Sequence, residues 1–199
     1  MPPDRPLVAP PVLRIAGPGT EYRIDPVSLR AVAVDSPAMC RLAKGLLDGV
    51  QTGRNASEAA AALSTAAFML LTAGQPESAE RLLRDALRTQ VHGPPGPYLA
   101  SRLRLVQVLQ ELERTSEAVH EARIVLRTVR SSPELLDLLD FALHHLGKAL
   151  LQAGDTEGAT AALSEALFLR EAKGDPSLVE STELALRNAV QAGGRNSEA

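Results

Sequence analysis

Asp137, Asp140 and His144 stand at i, i+3 and i+7. On one helix that spacing puts three side chains on a single face, where they could converge on a metal ion. Two carboxylates and one imidazole with no fourth ligand are a poor set, so the sequence favours a solvated stripe with an Asp140–His144 contact at i,i+4. His144 and His145 are adjacent, about 100° apart around a helix, and are not expected to act as a pair. Gly17-Pro18-Gly19 reads as a turn, not a phosphate cradle. No glycine-rich nucleotide loop, nucleophile elbow or zinc-protease helix motif occurs. The single cysteine, Cys40, excludes an intrachain disulfide and a cysteine-based zinc site. The chain therefore reads as a non-enzyme with no cofactor and no metal.

Charge offers a second kind of chemistry. The whole chain is nearly balanced, with 21 basic against 24 acidic residues, so no global field calls for nucleic acid or an anionic membrane. Locally, residues 80 to 130 hold nine arginines (81, 84, 88, 102, 104, 114, 123, 127 and 130) against six acids, whereas 131 to 199 holds five bases against eleven acids. Such asymmetry suits an acidic partner or a head-to-tail contact between two copies of the chain, a homodimer. The plainer reading, which the sequence favours, is ordinary solvated helix faces. Nucleic acid is disfavoured because the basic strip has almost no aromatic side chains for bases to stack on.

The elements that position these residues are helices. Aromatic content is only 3%, and alanine and leucine carry the apolar content, as they do where helices approach closely. Four segments align: Ala73-Gly74-Gln75-Pro76-Glu77-Ser78-Ala79, Leu112 to Ala118, Ala153 to Ala159 and Gly193 to Ala199. Their closing alanines lie at 79, 118, 159 and 199, at intervals of 39, 41 and 40. A fixed period is the mark of a repeat architecture. Each unit contains two apolar runs at helical spacing, for example Leu139, Leu143, Leu146 and Leu150, then Ala159, Ala162, Leu163 and Ala166. Gly74, Gly154 and Gly174 suit left-handed helix ends. Ser132-Pro133 and Asp175-Pro176 read as N-caps with proline in the first turn, and Gly93-Pro94-Pro95-Gly96-Pro97 reads as a break between units. Ala79, Ala118 and Ala159 open the second helices, and Ala67 and Gly147 face them from the first. Small side chains at these places let paired helices nestle.

This pattern resembles the tetratricopeptide repeat, in the longer variant seen in kinesin light chains and many bacterial regulators. Leu167-Phe168-Leu169-Arg170-Glu171 followed by Gly174-Asp175-Pro176 is similar to that variant's unit ending. Glu113 departs from the pattern by standing where the turn glycine is expected. The resemblance covers residues 56 to 199 and implies an all-α superhelix of antiparallel helix pairs, about eight helices in all. The pairs fall at about 56–92, 97–131 and 134–172, with a capping helix at 177–192, so that 37–199 forms the helical domain. Eight of the chain's fourteen prolines fall within residues 1–37, and residues 1–36 form a separate extended or β-hairpin segment, with short strands at 12–16, 21–24 and 30–34. The stretch from Gly17 to Pro26 looks like the join between DNA-binding and helical parts of actinobacterial transcriptional activators.

In such an array the first helices of successive units line a concave wall. The positions that face it are Phe68, Leu103, Gln107, Phe141, His144, Lys148, Gln152, Leu184 and Asn188, together with Ser64, Thr72, Gln110 and Gln191. Amides on this wall can bond a peptide backbone whatever its sequence. The resemblance implies a protein- or peptide-binding adaptor whose partner is another protein or a peptide. The alternative is a ligand- or peptide-sensing regulatory domain. No apolar run has the roughly 20 residues of a spanning helix, and the start lacks a secretory signal, so no membrane partner and a cytoplasmic location are expected.

Overall fold

The computed structural model describes residues 12–15, 17–51 and 55–197. Residues 1–11 and Ala199, the last of the aligned alanines, lie outside them. Three short strands, β1 (Leu13–Arg14), β2 (Glu21–Ile24) and β3 (Ala31–Ala33), precede α1 (Ser36–Gln51), α2 (Ala56–Thr72), α3 (Pro76–Gln90), α4 (Pro95–Glu111), α5 (Thr115–Arg130), α6 (Leu139–Gln152), α7 (Thr156–Lys173) and α8 (Pro176–Ser197). The fold is an all-α solenoid of consecutive helix pairs with a small antiparallel sheet at the N-terminal end, as the repeat pattern implied.

The three hairpins α2–α3, α4–α5 and α6–α7 close identically. The amides of Gln75, Arg114 and Asp155 donate to the carbonyls of Leu70, Leu109 and Leu150, at 2.9, 2.9 and 3.0 Å. This bond, reaching back five residues, marks a helix end whose preceding residue is left-handed. Gly74 and Gly154 hold that conformation at φ 80° and 83°, and Glu113 adopts it too, at φ 59°. The turn survives a residue that disfavours it because both flanking helices are docked.

Close approach follows the small residues. Ala79, Ala118 and Ala159 are wholly buried, as is Leu163 on α7. A Cβ on Gly147 would stand 2.5 Å from Leu163 Cγ and 3.3 Å from the Ala159 carbonyl, so α6 and α7 touch backbone to side chain there. One apolar core runs through the repeats from Ala67 to Ala189. A smaller one, Met39, Ala43, Ala66 and Met69, seats α1 on α2.

Several boundaries differ from expectation. Ser132 makes no side-chain cap, and Pro133–Leu138 winds as a 3-10 helix before α6 begins at Leu139. Asp175 does cap, accepting from the Ser177 and Leu178 amides at 3.0 and 3.3 Å. The Gly93 to Pro97 break is shorter than its composition suggests, since α4 starts at Pro95 and takes in Gly96 and Pro97. Proline costs a first turn nothing, because its missing N–H has no partner there anyway. Finally, Gly193-Gly194 does not turn the chain: α8 runs through it to Ser197. Two helical glycines cost about 1 kcal/mol each, but Gly193 lies against Thr156 at the start of α7, where a Cβ would be 3.5 Å from its hydroxyl.

The sheet is a meander in the order β1-β2-β3, with Leu13 opposite Tyr22, and Tyr22, Arg23 and Ile24 opposite Ala33, Val32 and Ala31. Alternation fixes its faces. Tyr22, Ile24, Ala31 and Ala33 are half-buried, while Arg23 and Val32 are exposed. Gly17 and Thr20 close the first turn through Thr20 Oγ1, which donates to the Gly17 carbonyl at 2.6 Å. The second turn is held by Asp25 Oδ1, which accepts from the Ser28 amide and hydroxyl, each at 2.7 Å.

Candidate functional site: the inner wall and the sheet that lies on it

The first helices of the pairs form a continuous layer, because α4 packs on both α2 and α6, and α6 on α8. The N-terminal sheet reaches every one of them. On α2, Phe68 meets the Tyr22 ring edge to face at 5.5 Å. On α4, Glu111 pairs with Arg30 at 3.1 Å. On α6, Lys148 Nζ donates to the Leu29 carbonyl at 2.5 Å. On α8, Asn188 Nδ2 donates to the Pro26 carbonyl at 3.0 Å. Leu29 inserts its side chain into the main core and is only 5% exposed, although its backbone is left-handed at φ 58°. The wall that the sequence assigns to a partner segment is thus covered by the chain's own β2–β3 turn.

The remaining wall positions divide between open and filled places. Gln107 and Lys148 line two cavities on either flank of the sheet. One, of about 300 Å³, also involves Gln152 and Glu111. The other, of about 370 Å³, is walled by Tyr22 and Ile24 from the sheet and by Phe68, Leu103, Arg104, Phe141, His144 and His145 from the helices. Leu103 is buried, and Leu184 packs on the core rather than presenting an apolar spot. Gln152 Nε2 donates to the Gln110 carbonyl at 3.0 Å, linking α6 to α4. Ser64 and Thr72 are buried; Ser64 Oγ accepts from Ser101 at 2.9 Å and from Arg104 at 2.7 Å.

The Asp137, Asp140, His144 stripe is neither solvated nor a convergent set. Asp137 sits exposed in the 3-10 helix, off the face of α6. Asp140 has no exposure and accepts from Arg170 Nε at 3.0 Å and Lys173 Nζ at 2.6 Å. Arg170, itself 2% exposed, also donates to the Leu178 carbonyl at 3.1 Å and to Thr182 Oγ1 at 2.6 Å, with its guanidinium 5.1 Å from the Phe141 ring centre. His144 is buried rather than presented to the groove, its Nδ1 3.2 Å from Thr182 Oγ1. The Thr182 hydroxyl gives its one proton to the Leu178 carbonyl at 2.9 Å. With its proton there, the hydroxyl oxygen accepts from Arg170, and the His144 tautomer that complements this arrangement carries its proton on Nδ1. The two histidines do meet, their rings edge to face at 5.2 Å. Among the described residues no three potential ligands gather as a metal site. The sequence carried a signal for this network: Asp140 stands on the same stripe as Leu143, Gly147 and Leu150, and Arg170 on that of Ala159, Leu163 and Ala166. A charge on a core stripe needs a buried partner of opposite sign.

Electrostatically the larger flanking cavity is positive. Burial, then the charge of Arg170, pushes His144 well below the ordinary imidazole range, and burial followed by Lys148 does the same to His145. Burial, with help from Arg170, lowers Lys148 to about 8. Burial also lowers Arg104 and raises the Tyr22 hydroxyl. Among the described residues no Asp or Glu lines this cavity. The other arginines of the strip are mostly spent on neighbours: Arg84 and Arg114 on Glu80, Arg102 on Glu121, and Arg130 on Glu165.

Residues 59–97, from early α2 to the first turn of α4, match the tetratricopeptide repeat family. The chain contains a tetratricopeptide repeat. Its fold extends the likeness over the array. A crystal structure of nearly identical TPR-like repeats, from a Podosopora anserina protein described as a kinesin light chain, superposes with a TM-score of 0.58. That match covers 81% of this chain and 80% of the other, at 21% identity, and so speaks for the tetratricopeptide-type solenoid alone. No curated protein matches the chain. Among the described residues no helix is long and apolar enough to cross a membrane.

Proposed function

We propose that the chain is a protein-interaction adaptor whose concave wall, built by α2, α4, α6 and α8, holds an extended segment of a partner protein or peptide. The observation that carries this reading is the pair of contacts from Lys148 to the Leu29 carbonyl and from Asn188 to the Pro26 carbonyl. Both use main-chain acceptors, which every peptide offers, so these two donors grip backbone without reading side chains. Phe68, Phe141 and Leu103 supply apolar area in the cleft that Lys148 lines, and Gln107 adds an amide. The resident β2–β3 turn then competes with the partner for the same donors, so partner binding displaces it.

The test is capture by the full chain, in parallel with two variants, of a partner first identified by crosslinking to wall residues. Leu29→Ala weakens the resident turn and raises partner retention. Lys148→Met combined with Asn188→Leu removes the donors and abolishes it. Retention unchanged in both variants would place the partner on another surface.

A further inference from the structure

Arg104 is a cation for which the described residues supply no ion-pair partner. It lies on α4 beneath the sheet, with one nitrogen donating to Ser64 Oγ at 2.7 Å and its guanidinium carbon 5.9 Å from the Phe68 ring centre. Among the described residues it forms no ion pair, unlike Arg102 or Arg170. A guanidinium offers five N–H donors and does not lose its proton in a protein. Arg104 is half-buried, and a cation partly withdrawn from water without a counter-charge favours a site where an anion can join it. The cavity it lines also receives Lys148 and Arg170, carries no carboxylate among the described residues, and is faced by His145, whose buried Nδ1 has no hydrogen-bond partner. The opposite character is present too, since Tyr22, Phe68, Phe141 and Leu103 form an aromatic and aliphatic wall. At about 370 Å³ the space falls within the range of about 300–1,000 Å³ of small-molecule sites.

We propose that this cleft, between the N-terminal sheet and the inner wall, binds a small amphiphilic organic anion whose oxyacid head meets Arg104 and whose apolar body lies against Phe68 and Phe141. The head is a carboxylate or a phosphate monoester, since both match the guanidinium fork. His145 Nδ1 and the Gln107 amide supply further polar contacts at the cavity surface. Because one wall of the cavity is the sheet, the anion binds the state in which the sheet is seated. It therefore opposes any segment that would displace the sheet. This goes beyond the adaptor reading and does not depend on it.

The test is calorimetric titration of the full chain with benzoate and with phenyl phosphate, against benzyl alcohol as the neutral analogue and inorganic phosphate as the bare head. At least one aromatic anion saturates at one per chain, and benzyl alcohol and inorganic phosphate each bind at least about tenfold more weakly, in keeping with a charge-assisted contact. Arg104→Met loses about tenfold or more of the affinity while its helical spectrum is retained. If that variant fails to fold, Arg104→Gln, which keeps an N–H donor for Ser64 Oγ but no charge, replaces it and shows a loss in the same direction. Histidine ring signals in NMR report whether the anion reaches His145. Equal affinity for benzyl alcohol, or for inorganic phosphate, would overturn the proposal, as would full affinity in Arg104→Met or no binding of either aromatic anion at millimolar concentration. The titration requires no partner protein, so its failure is distinct from a failure of partner capture.

Discussion

Replacing Leu29 with alanine isolates the force that holds the sheet on the inner wall. Leu29 is 5% exposed in the native chain, and its backbone is left-handed at φ 58°. Alanine is strained there as leucine is, so the substitution leaves the backbone cost in place and removes only packing. Three carbons leave the core, at about 0.8 kcal/mol each, or about 2–3 kcal/mol in all. The docking equilibrium should therefore shift by about 30- to 150-fold toward the undocked state. Strands of two to four residues are marginal without a surface to rest on, so the sheet should come apart as it leaves. Amide hydrogen exchange on the full chain reads this directly. The amides of Asp25, Leu29 and Val34, which donate to Arg30, Asp25 and Glu21 across the sheet at 2.8–2.9 Å, should lose protection by about that factor. The central amides of α4 and α6 should keep theirs. Sheet amides as protected as before, or a uniform loss through α4 and α6, would refute the idea that the sheet is a separately dockable unit.

Two further substitutions test the repeat itself. Gly147→Ala should gain about 1 kcal/mol in helix propensity but lose more through overpacking on Leu163, for a net destabilisation of about 1–2 kcal/mol in urea. In a Leu163→Ala background the same change should become neutral or stabilising. A wild-type background stabilised by Gly147→Ala would mean that α6 and α7 have room to spare. Glu113→Gly relieves the one non-glycine hairpin turn and should stabilise by about 1 kcal/mol. An unchanged thermal midpoint would indicate that the left-handed turn costs the glutamate nothing.

The repeat was legible because one steric demand recurs. Wherever a second helix starts, Ala79, Ala118 or Ala159 must be small to pass under its partner, so the interval is written into residue types. The turn at Glu113 was legible only through its neighbours, since its own side chain argues against the conformation it adopts. Helical periodicity assigned His144, Leu103 and Leu184 to the wall, where the structure buries the first two and packs the third on the core, and it gave no hint of what covers the wall. Lys148 and Asn188 bond to carbonyls of Leu29 and Pro26, more than a hundred residues away, and a main-chain acceptor leaves no trace in a sequence. The buried ion pair was within reach. Asp140 and Arg170 interrupt two apolar stripes, and periodicity alone assigned Asp140 to solvent because it considered one helix at a time.

The placement of the sheet has a mechanical consequence. A stack of helix pairs joined only to nearest neighbours flexes like a coil spring, each joint opening by a little. Here a short strap runs from Phe68 near one end to Asn188 near the other, touching every rib between. It works as the string of a bow, setting how far the arc can straighten. Pulling the ends apart would load the Tyr22–Phe68 and Pro26–Asn188 anchors first, and cutting the string should soften the whole frame without breaking a single joint between adjacent helices.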